Sequence, residues 1–488
     1  MKSYIFNHDY ILRHDQKRTY IAQKYSNNKS SKKWKSIIHP VQAMILSFFS
    51  EPKTFDEVIS DLEYFLDLNE KEVKKIIKPF IKNKTSFIAE YDEIKFLFPE
   101  NVLIDAENNK SAVIVYEADK FTYNELDFET ARMFSGPLYV TFMLNNKCVT
   151  DCIYCYADKS NKAKELSFER IKELIDEAKK MNALEINICG GEVLLYPQWE
   201  KLLNYLIKEN GYMPEVISTK VPLCQEDVIK LKNTGINKIQ ISLDTLIEKN
   251  LTHLLKTSKE YKKKIMDFIK FLDKENFDID IQTVITKYNC SEKDILSVFN
   301  FIKQFKNIKK WSLRPSFPSL YNGNDFIPSI NQLNKVYDYT EPLKSQIDLM
   351  FDKPSTATDK YASIDGAIAN FSPYKCTANL SHIFVLPDGK VTTCEQLYWN
   401  PLFIVGDLKT QSIDEVWNSE KSLWLANIQK SELSEQSPCK SCETFDSCFK
   451  NLKRCWLQVI KTYGNENWDY PDPRCKLAPE LKTNIFYK

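Results

Sequence analysis

The chain has 488 residues, enough by the usual size of a domain for about three domains with buried cores. Lysine plus arginine number 67 against 66 aspartate plus glutamate, and the net charge of +1 excludes a global field that would draw nucleic acid or an anionic membrane. Cysteine is conspicuous at 13 residues, whereas glycine is scarce at 10 and forms neither a P-loop nor a dinucleotide-binding pattern, which argues against nucleotide-triphosphate chemistry.

The opening residues, MKSYIFNHDY, lack the apolar core of a signal peptide, and no apolar run reaches the length of about 18 residues that a bilayer span needs. A cytoplasmic protein with no membrane partner is the expectation. In a reducing compartment clustered cysteines point to metal or redox chemistry rather than to disulfides.

In chain order, residues 1–104 show strand-like runs at 3–6 and 18–22, amphipathic helices at 39–49, 55–66 and 69–82, and a hairpin from 86–90 and 94–98. Thr54 with Glu57, and Asn69 with Glu72, are capping-box pairs that place two helix starts. Together these elements predict a small winged-helix domain. The polar stretch SNNKSSKKWK at 26–35 is expected to be a flexible loop rather than a nucleic-acid patch, and residues 105–136 a linker.

Between 137 and 314, strands at 138–144, 184–188, 215–218, 238–243, 279–285 and 308–314 alternate with helices such as 167–181 and 197–209. Six strand–helix units predict an α/β fold, a partial (β/α)6 barrel of the TIM type, with functional loops at the carboxyl ends of the strands. Residues 315–375, with a helix at 330–351, read as a bridge, and 376–488 as a loop-rich, cysteine-rich domain.

The first strand of the barrel runs into Cys148-x3-Cys152-x2-Cys155. Three thiolates this close together can hold three irons of a 4Fe-4S cube and leave the fourth open. Zinc would want a fourth protein ligand, and none of the five histidines lies in this loop.

The triplet, with Tyr154 at its aromatic position, resembles the radical SAM enzymes, whose cluster reduces S-adenosylmethionine to methionine and a 5'-deoxyadenosyl radical. The resemblance continues along the barrel. Gly190-Gly191-Glu192 is similar to the family segment that takes the cofactor's amino group, Ser218-Thr219-Lys220 to its ribose-binding segment, and Ser242-Leu243-Asp244 to its Ser-Leu-Asp element. Thr245 stands where many relatives have glycine, and the family's carboxylate-pairing arginine has no counterpart at 254–257, which leaves Lys256 and Arg314 as candidates for that charge.

Near the C-terminus, Cys376, Gly389-x4-Cys394, Cys439-x2-Cys442-x5-Cys448, Cys455 and Cys475 resemble the SPASM domain, which holds two auxiliary 4Fe-4S clusters. Six residues separate Cys448 from Cys455, where the family has three. The resemblance assigns Cys439, Cys442, Cys448 and Cys475 to an outer cluster and Cys376, Cys394 and Cys455 to an inner one with an open iron. Cys439-x2-Cys442 alone would also suit a zinc ribbon. Cys189, Cys224 and Cys290 are left over, and Cys189, beside Gly190, suits either the core or the reaction cavity.

The N-terminal pattern, with HPVQAMIL at 39–46 and FDEV at 55–58, resembles the RiPP recognition element, which binds the leader of a ribosomally made precursor peptide by strand addition, here beside the third helix. Its rival is a DNA-binding winged helix, since that helix carries Lys71, Lys74, Lys75 and Lys78. Fusion to a radical enzyme favours the peptide.

The combined resemblance implies a peptide maturase using S-adenosylmethionine, three 4Fe-4S clusters and an external one-electron reductant of the flavodoxin or ferredoxin type. Its implied product is a cysteine thioether, as in sactipeptides and ranthipeptides. The alternatives are carbon–carbon crosslinking, formylglycine formation of the anaerobic sulfatase-maturase type, or a non-catalytic electron-transfer or peptide-scaffold protein.

Overall fold

The computed structural model describes residues 2–23, 34–81, 83–91, 93–108, 114–162, 164–321, 323–352, 376–451, 454–473 and 475–480. Two compact units emerge, one of Met1–Leu138 with Met181–Leu184, the other of Tyr139–Lys180 with Glu185–Lys488.

In the first unit, β1 (Ser3–Phe6) lies between β5 (Lys53–Thr54) and β8 (Leu103–Asp105), while β2 (Tyr10–His14), β3 (Thr19–Gln23) and β4 (Lys35–Ile38) form a second antiparallel sheet. The two expected N-terminal strands are therefore in different sheets, because Asp15–Arg18 turns β2 back onto β3. Three helices follow, α1 (Pro40–Ser47), α2 (Phe55–Leu66) and α3 (Glu70–Ile77). Both expected capping boxes form: the Thr54 hydroxyl accepts from Glu57 N at 3.3 Å, and Asn69 Oδ1 from Glu72 N at 3.1 Å. Helix α3 stops earlier than expected because Pro79 cannot continue it, and Lys82 lies outside the described residues. Strands β6 (Phe87–Tyr91) and β7 (Ile94–Phe98) make the expected hairpin. Phe6, Ile21, Leu46, Phe49, Leu62 and Phe98 are part of the core.

The stretch expected to be a linker is packed instead. Phe121 is buried in this core, the Tyr116 hydroxyl accepts from Leu12 N at 3.2 Å, and Phe134 N donates to the buried Asp15 carboxylate at 2.9 Å. Of the stretch 26–35, only Trp34 and Lys35 are described, and Lys35 already belongs to β4.

In the second unit, β9 (Tyr139–Met143) pairs in parallel with β10 (Glu185–Cys189). A separate parallel ladder runs β11 (Ser218–Thr219), β12 (Lys238–Ser242), β13 (Asp278–Ile285), β14 (Ile308–Pro315) and β15 (Leu349–Met350). Five of the six expected strands form, whereas of the third, expected at 215–218, only Ser218 lies in a strand; they are divided into two ladders among the described residues, with helices α4 (Phe168–Lys180), α5 (Trp199–Asn204), α6 (Gln225–Asn233), α7 (Glu248–Leu255), α8 (Glu260–Lys274) and α9 (Glu292–Ile302) between them. The helix expected at 330–351 is shorter: α10 ends at Thr340 before Pro342, and Leu349–Met350 instead adds a strand beside β14.

The cysteine-rich region does not begin as a detached domain. Strand β16 (His382–Val385) extends the first ladder in parallel beside β9, and β17 (Lys390–Thr392) and β18 (Ile404–Asp407) continue it antiparallel. Arg170 of α4 donates to the carbonyls of Leu408 and Gln411, each at 2.8 Å, fixing these strands to the helix.

Burial alternates strictly along β13: Ile279, Ile281, Thr283 and Ile285 are buried, whereas Asp278, Asp280, Gln282 and Val284 are half-buried. Parallel strands covered on both faces usually read as continuous apolar runs. Here the register puts Gln240, Asp280 and Lys310 in one row and Ser242, Gln282 and Ser312 in the next. A face with these polar rows suits a ligand better than an apolar core.

Candidate active site

The cysteine loop leaves β9 at Leu144, whose N–H makes the last bond to β10 at Cys189 O, 2.8 Å. Asn145 is fully buried at the exit. Its Nδ2 donates to Glu192 O at 2.9 Å, and its Oδ1 accepts from Lys147 N at 2.9 Å. Gly190 has φ +150°, and a Cβ there would stand 2.8 Å from Asn145 O. At Gly191 a Cβ would fall 2.2 Å from Lys147 O. The glycine pair thus lets the chain leading to Cys148 lie against the end of β10.

The far side of the loop is held by α7, where Asp151 N and Ile153 N donate to Leu255 O and Leu254 O, both at 2.9 Å. Lys256 ends that helix at φ +47° and reaches Asp151 Oδ2 at 3.1 Å, while Lys159 reaches Oδ1 at 3.0 Å. Within the loop, Thr150 Oγ1 lies 3.4 Å from Cys148 Sγ and 3.2 Å from Cys152 Sγ. Burial pushes the thiols of Cys148, Cys152 and Cys155 up, so each would give up its proton on binding iron.

Two buried carboxylates beside the loop are joined through Lys220. Glu192 Oε2 accepts from the Thr219 hydroxyl at 2.7 Å, and Oε1 from Lys220 N at 2.9 Å and from Cys148 Sγ at 3.8 Å. Burial raises the Glu192 carboxyl, although these donors oppose the rise. Asp244 Oδ2 accepts from the Tyr154 hydroxyl and lies 3.3 Å from Lys220 Nζ, while Oδ1 accepts from Val284 N at 2.9 Å. Burial alone would lower Lys220, but Asp244, Cys152 and Glu192 hold its ammonium above the ordinary value.

Of the residues picked out in the sequence, Cys148, Cys152, Tyr154, Glu192, Thr219 and Asp244 thus belong to one network. Ser218, Ser242 and Arg314 lie outside it. Ser218 is exposed and accepts from Gln240 Nε2 at 2.8 Å, Ser242 is register partner to Gln282, and Arg314 is exposed at the register position of Val284. Lys256 lies on the other side of the loop, with its side chain 58% exposed. Asn145 carries no signal in the sequence, and Lys220 stands there only as the last residue of the Ser218-Thr219-Lys220 segment. Thr245 has a structural role, since its hydroxyl donates to Asp294 Oδ1 at 2.6 Å, at the start of α9.

The C-terminal cysteines act on one another's charge in two sets. Burial pushes Cys439 and Cys448 up to about 11, and each also feels Cys442 and Cys475. Burial raises Cys394 to about 12, with Cys455, Glu395 and Cys376 contributing. Within the longer spacing Cys448 lies on the helix Phe445–Asn451, while Cys455 caps the next helix, Trp456–Tyr463. Among the described residues no three His, Cys, Asp or Glu side chains form a single-ion site. A cubane takes one thiolate per iron, so its ligands surround the cube at a wider spacing than the ligands of one ion, and thiols are the donors such clusters take. Of the remaining cysteines, Cys189 packs with Met143, Leu386 and Tyr398, Cys224 donates to Asp227 Oδ2 at 3.3 Å, and Cys290 to Lys287 O at 3.4 Å.

Residues 143–301 match the family model of the radical SAM superfamily, and residues 376–443 that of the SPASM iron-sulfur cluster-binding domain. Among curated proteins, the PqqA peptide cyclase of Bradyrhizobium diazoefficiens is 23% identical over 73% of this chain and 90% of its own length. The mycofactocin maturase MftC of Mycolicibacterium smegmatis is 22% identical over 70% of this chain and 84% of its own. Among solved structures, Streptococcus suis SuiB bound to the precursor peptide SuiA aligns with a TM-score of 0.62 over 98% of this chain and 100% of that one, at 16% identity, a likeness of fold. SuiB bound to S-adenosylmethionine gives 0.60 over 97% and 100%, also at 16%.

Proposed function

We propose that this chain, an enzyme with a radical SAM and a SPASM domain, is a maturase of a ribosomally made precursor peptide and that its product is a cysteine thioether. The observation that carries the chemistry is the linkage of the Cys148/Cys152/Cys155 loop, through Glu192, Lys220 and Asp244, to polar strand ends. A bound cluster supplies the electron that cleaves S-adenosylmethionine. Ser218, Thr219, Ser242 and Arg314 are assigned to the cofactor's ribose and carboxylate, and Gly190, Gly191 and Glu192 to its amino group. Lys256, engaged by Asp151, is the weaker candidate for the carboxylate. The peptide substrate is supported by relatives named for peptide cyclisation and maturation.

The thioether is supported by the grouping of Cys376 and Cys455 with Cys394, three thiols that leave one iron of an inner cube for a substrate sulfur. Cys439, Cys442, Cys448 and Cys475 complete a second auxiliary cube, for three clusters in all. The N-terminal unit is assigned to the leader: its hairpin exposes Ile88 by 62% and Leu97, its register partner, by 45%. Among the described residues no helix is long and apolar enough to cross a membrane. A cytoplasmic location with a flavodoxin- or ferredoxin-type reductant fits the thiol-rich composition.

The test is mass spectrometry of the short peptide encoded beside the gene after anaerobic incubation with the reconstituted chain, S-adenosylmethionine and reductant. Loss of two hydrogens, with a cysteine no longer open to alkylation, is the expected outcome. The same loss in a peptide without cysteine would replace the thioether by a carbon–carbon crosslink, and an unmodified peptide would contradict the maturase.

A further inference from the structure

We infer that Arg454 is the buried cation that raises the reduction potential of the outer auxiliary cluster, an inference that rests on the assignment of Cys439, Cys442, Cys448 and Cys475 to that cluster. Arg454 joins the two segments that carry its later cysteines. On one side its guanidinium lies 5.9 Å from the ring of Phe445 and 6.0 Å from that of Phe449, on the helix that bears Cys448. On the other, Nη1 donates to the carbonyls of Asp469 and, at 2.8 Å, Tyr470, in the segment leading to Cys475. Trp456 covers the group at 4.8 Å.

These contacts leave one part of the guanidinium unused. Nη2 is sealed from solvent and has no hydrogen-bond partner among the described residues. A buried guanidinium with an unsatisfied donor is costly, and such a group is kept where an anion completes the site. Burial pushes the guanidinium down, and Cys439 and Cys448, followed by Asp469 and Asp472, favour its charge. A cube held by four thiolates is an anion, and one added electron makes it more so. A fixed guanidinium walled by aromatic rings, in a low dielectric, stabilises the reduced form more than the oxidised one. The outer cluster then serves as an electron acceptor.

The experiment is a dithionite titration of the reconstituted full chain, followed by electron paramagnetic resonance, in a background where Cys148, Cys152 and Cys155 are alanine and only the auxiliary signals remain. Arg454→Gln is expected to shift the midpoint of one signal to a more negative potential and leave the other in place, while Arg454→Lys, which keeps the charge, retains most of the wild-type potential. An unchanged midpoint in Arg454→Gln at full iron content overturns the inference. So does loss of one cluster's iron from both variants, which would make Arg454 a strut. A wild-type chain that holds only one auxiliary cluster would instead overturn the ligand assignment itself.

Discussion

The phenol O–H of Tyr154, the residue before Cys155, donates to Asp244 Oδ2, the same oxygen that lies 3.3 Å from the Lys220 ammonium. The cysteine loop is thereby bound to the ends of β11 and β12 through a carboxylate that is 0% exposed and a lysine side chain that is 11% exposed. Removing one partner of a buried pair leaves the other charge uncompensated, at a cost of about 3–5 kcal/mol. Asp244→Asn is therefore expected to lower stability by that order and to lose iron from the loop, whereas adding Lys220→Met recovers part of the stability. Denaturant unfolding and iron content per chain check this; a single variant as stable as the wild type would contradict it.

Gly191→Ala puts a methyl group 2.2 Å from Lys147 O, a contact that only a backbone shift can relieve. The expected result is a marked loss of the first cluster's absorbance and resonance signal with the auxiliary signals kept. Gly323, which has nothing within 4 Å of a Cβ, is the control, and Gly323→Ala should match the wild type.

Much of this site was legible in the sequence because it is local. The spacing of Cys148, Cys152 and Cys155 and the short strand-end segments name the side chains that meet, since each segment sits at the end of its own strand. What was not legible depends on tertiary partners. Lys220 matters because Asp244, 24 residues on, turns toward it. Lys256 carries the right charge, yet Asp151 lies closer to hand. The stretch 105–136 reads as polar and irregular, but Tyr116, Phe121 and Phe128 pack on a core whose other members are far away in sequence. The short strands β8 and β15 carry too few residues for a periodic signal.

His382 gives the pH dependence of stability a specific source. Its Nε2 lies 2.8 Å from Thr141 Oγ1 across the β9–β16 pair, and burial pushes the imidazole down to about 4. The unfolded chain takes up this proton near the ordinary value of about 6.5, so the folded state is fully favoured above that pH and loses stability as the pH falls toward 4, by about 2 kcal/mol between pH 7 and 5. His382→Gln is expected to reduce the slope of unfolding free energy against pH by that amount. An unchanged slope would show that the ring is protonated in the folded chain.

If the leader docks on the exposed hairpin, Ile88→Asp should weaken peptide binding by about 30-fold, the equivalent of about 2 kcal/mol of apolar contact. Because Ile88 is 62% exposed, folding should be unaffected. Fluorescence anisotropy of the labelled precursor against the full chain measures both affinities, and equal affinity would place the leader elsewhere.

Reductive cleavage of S-adenosylmethionine is the role proposed for the Cys148/Cys152/Cys155 loop and the Glu192–Lys220–Asp244 network. Its most direct test is chromatographic measurement of 5'-deoxyadenosine after the anaerobically reconstituted chain is mixed with dithionite and S-adenosylmethionine, beside a Cys148→Ala/Cys152→Ala/Cys155→Ala variant. Formation of 5'-deoxyadenosine by the wild type, abolished in the triple variant, is expected; no 5'-deoxyadenosine from a wild-type chain that carries its full complement of iron would contradict the claim.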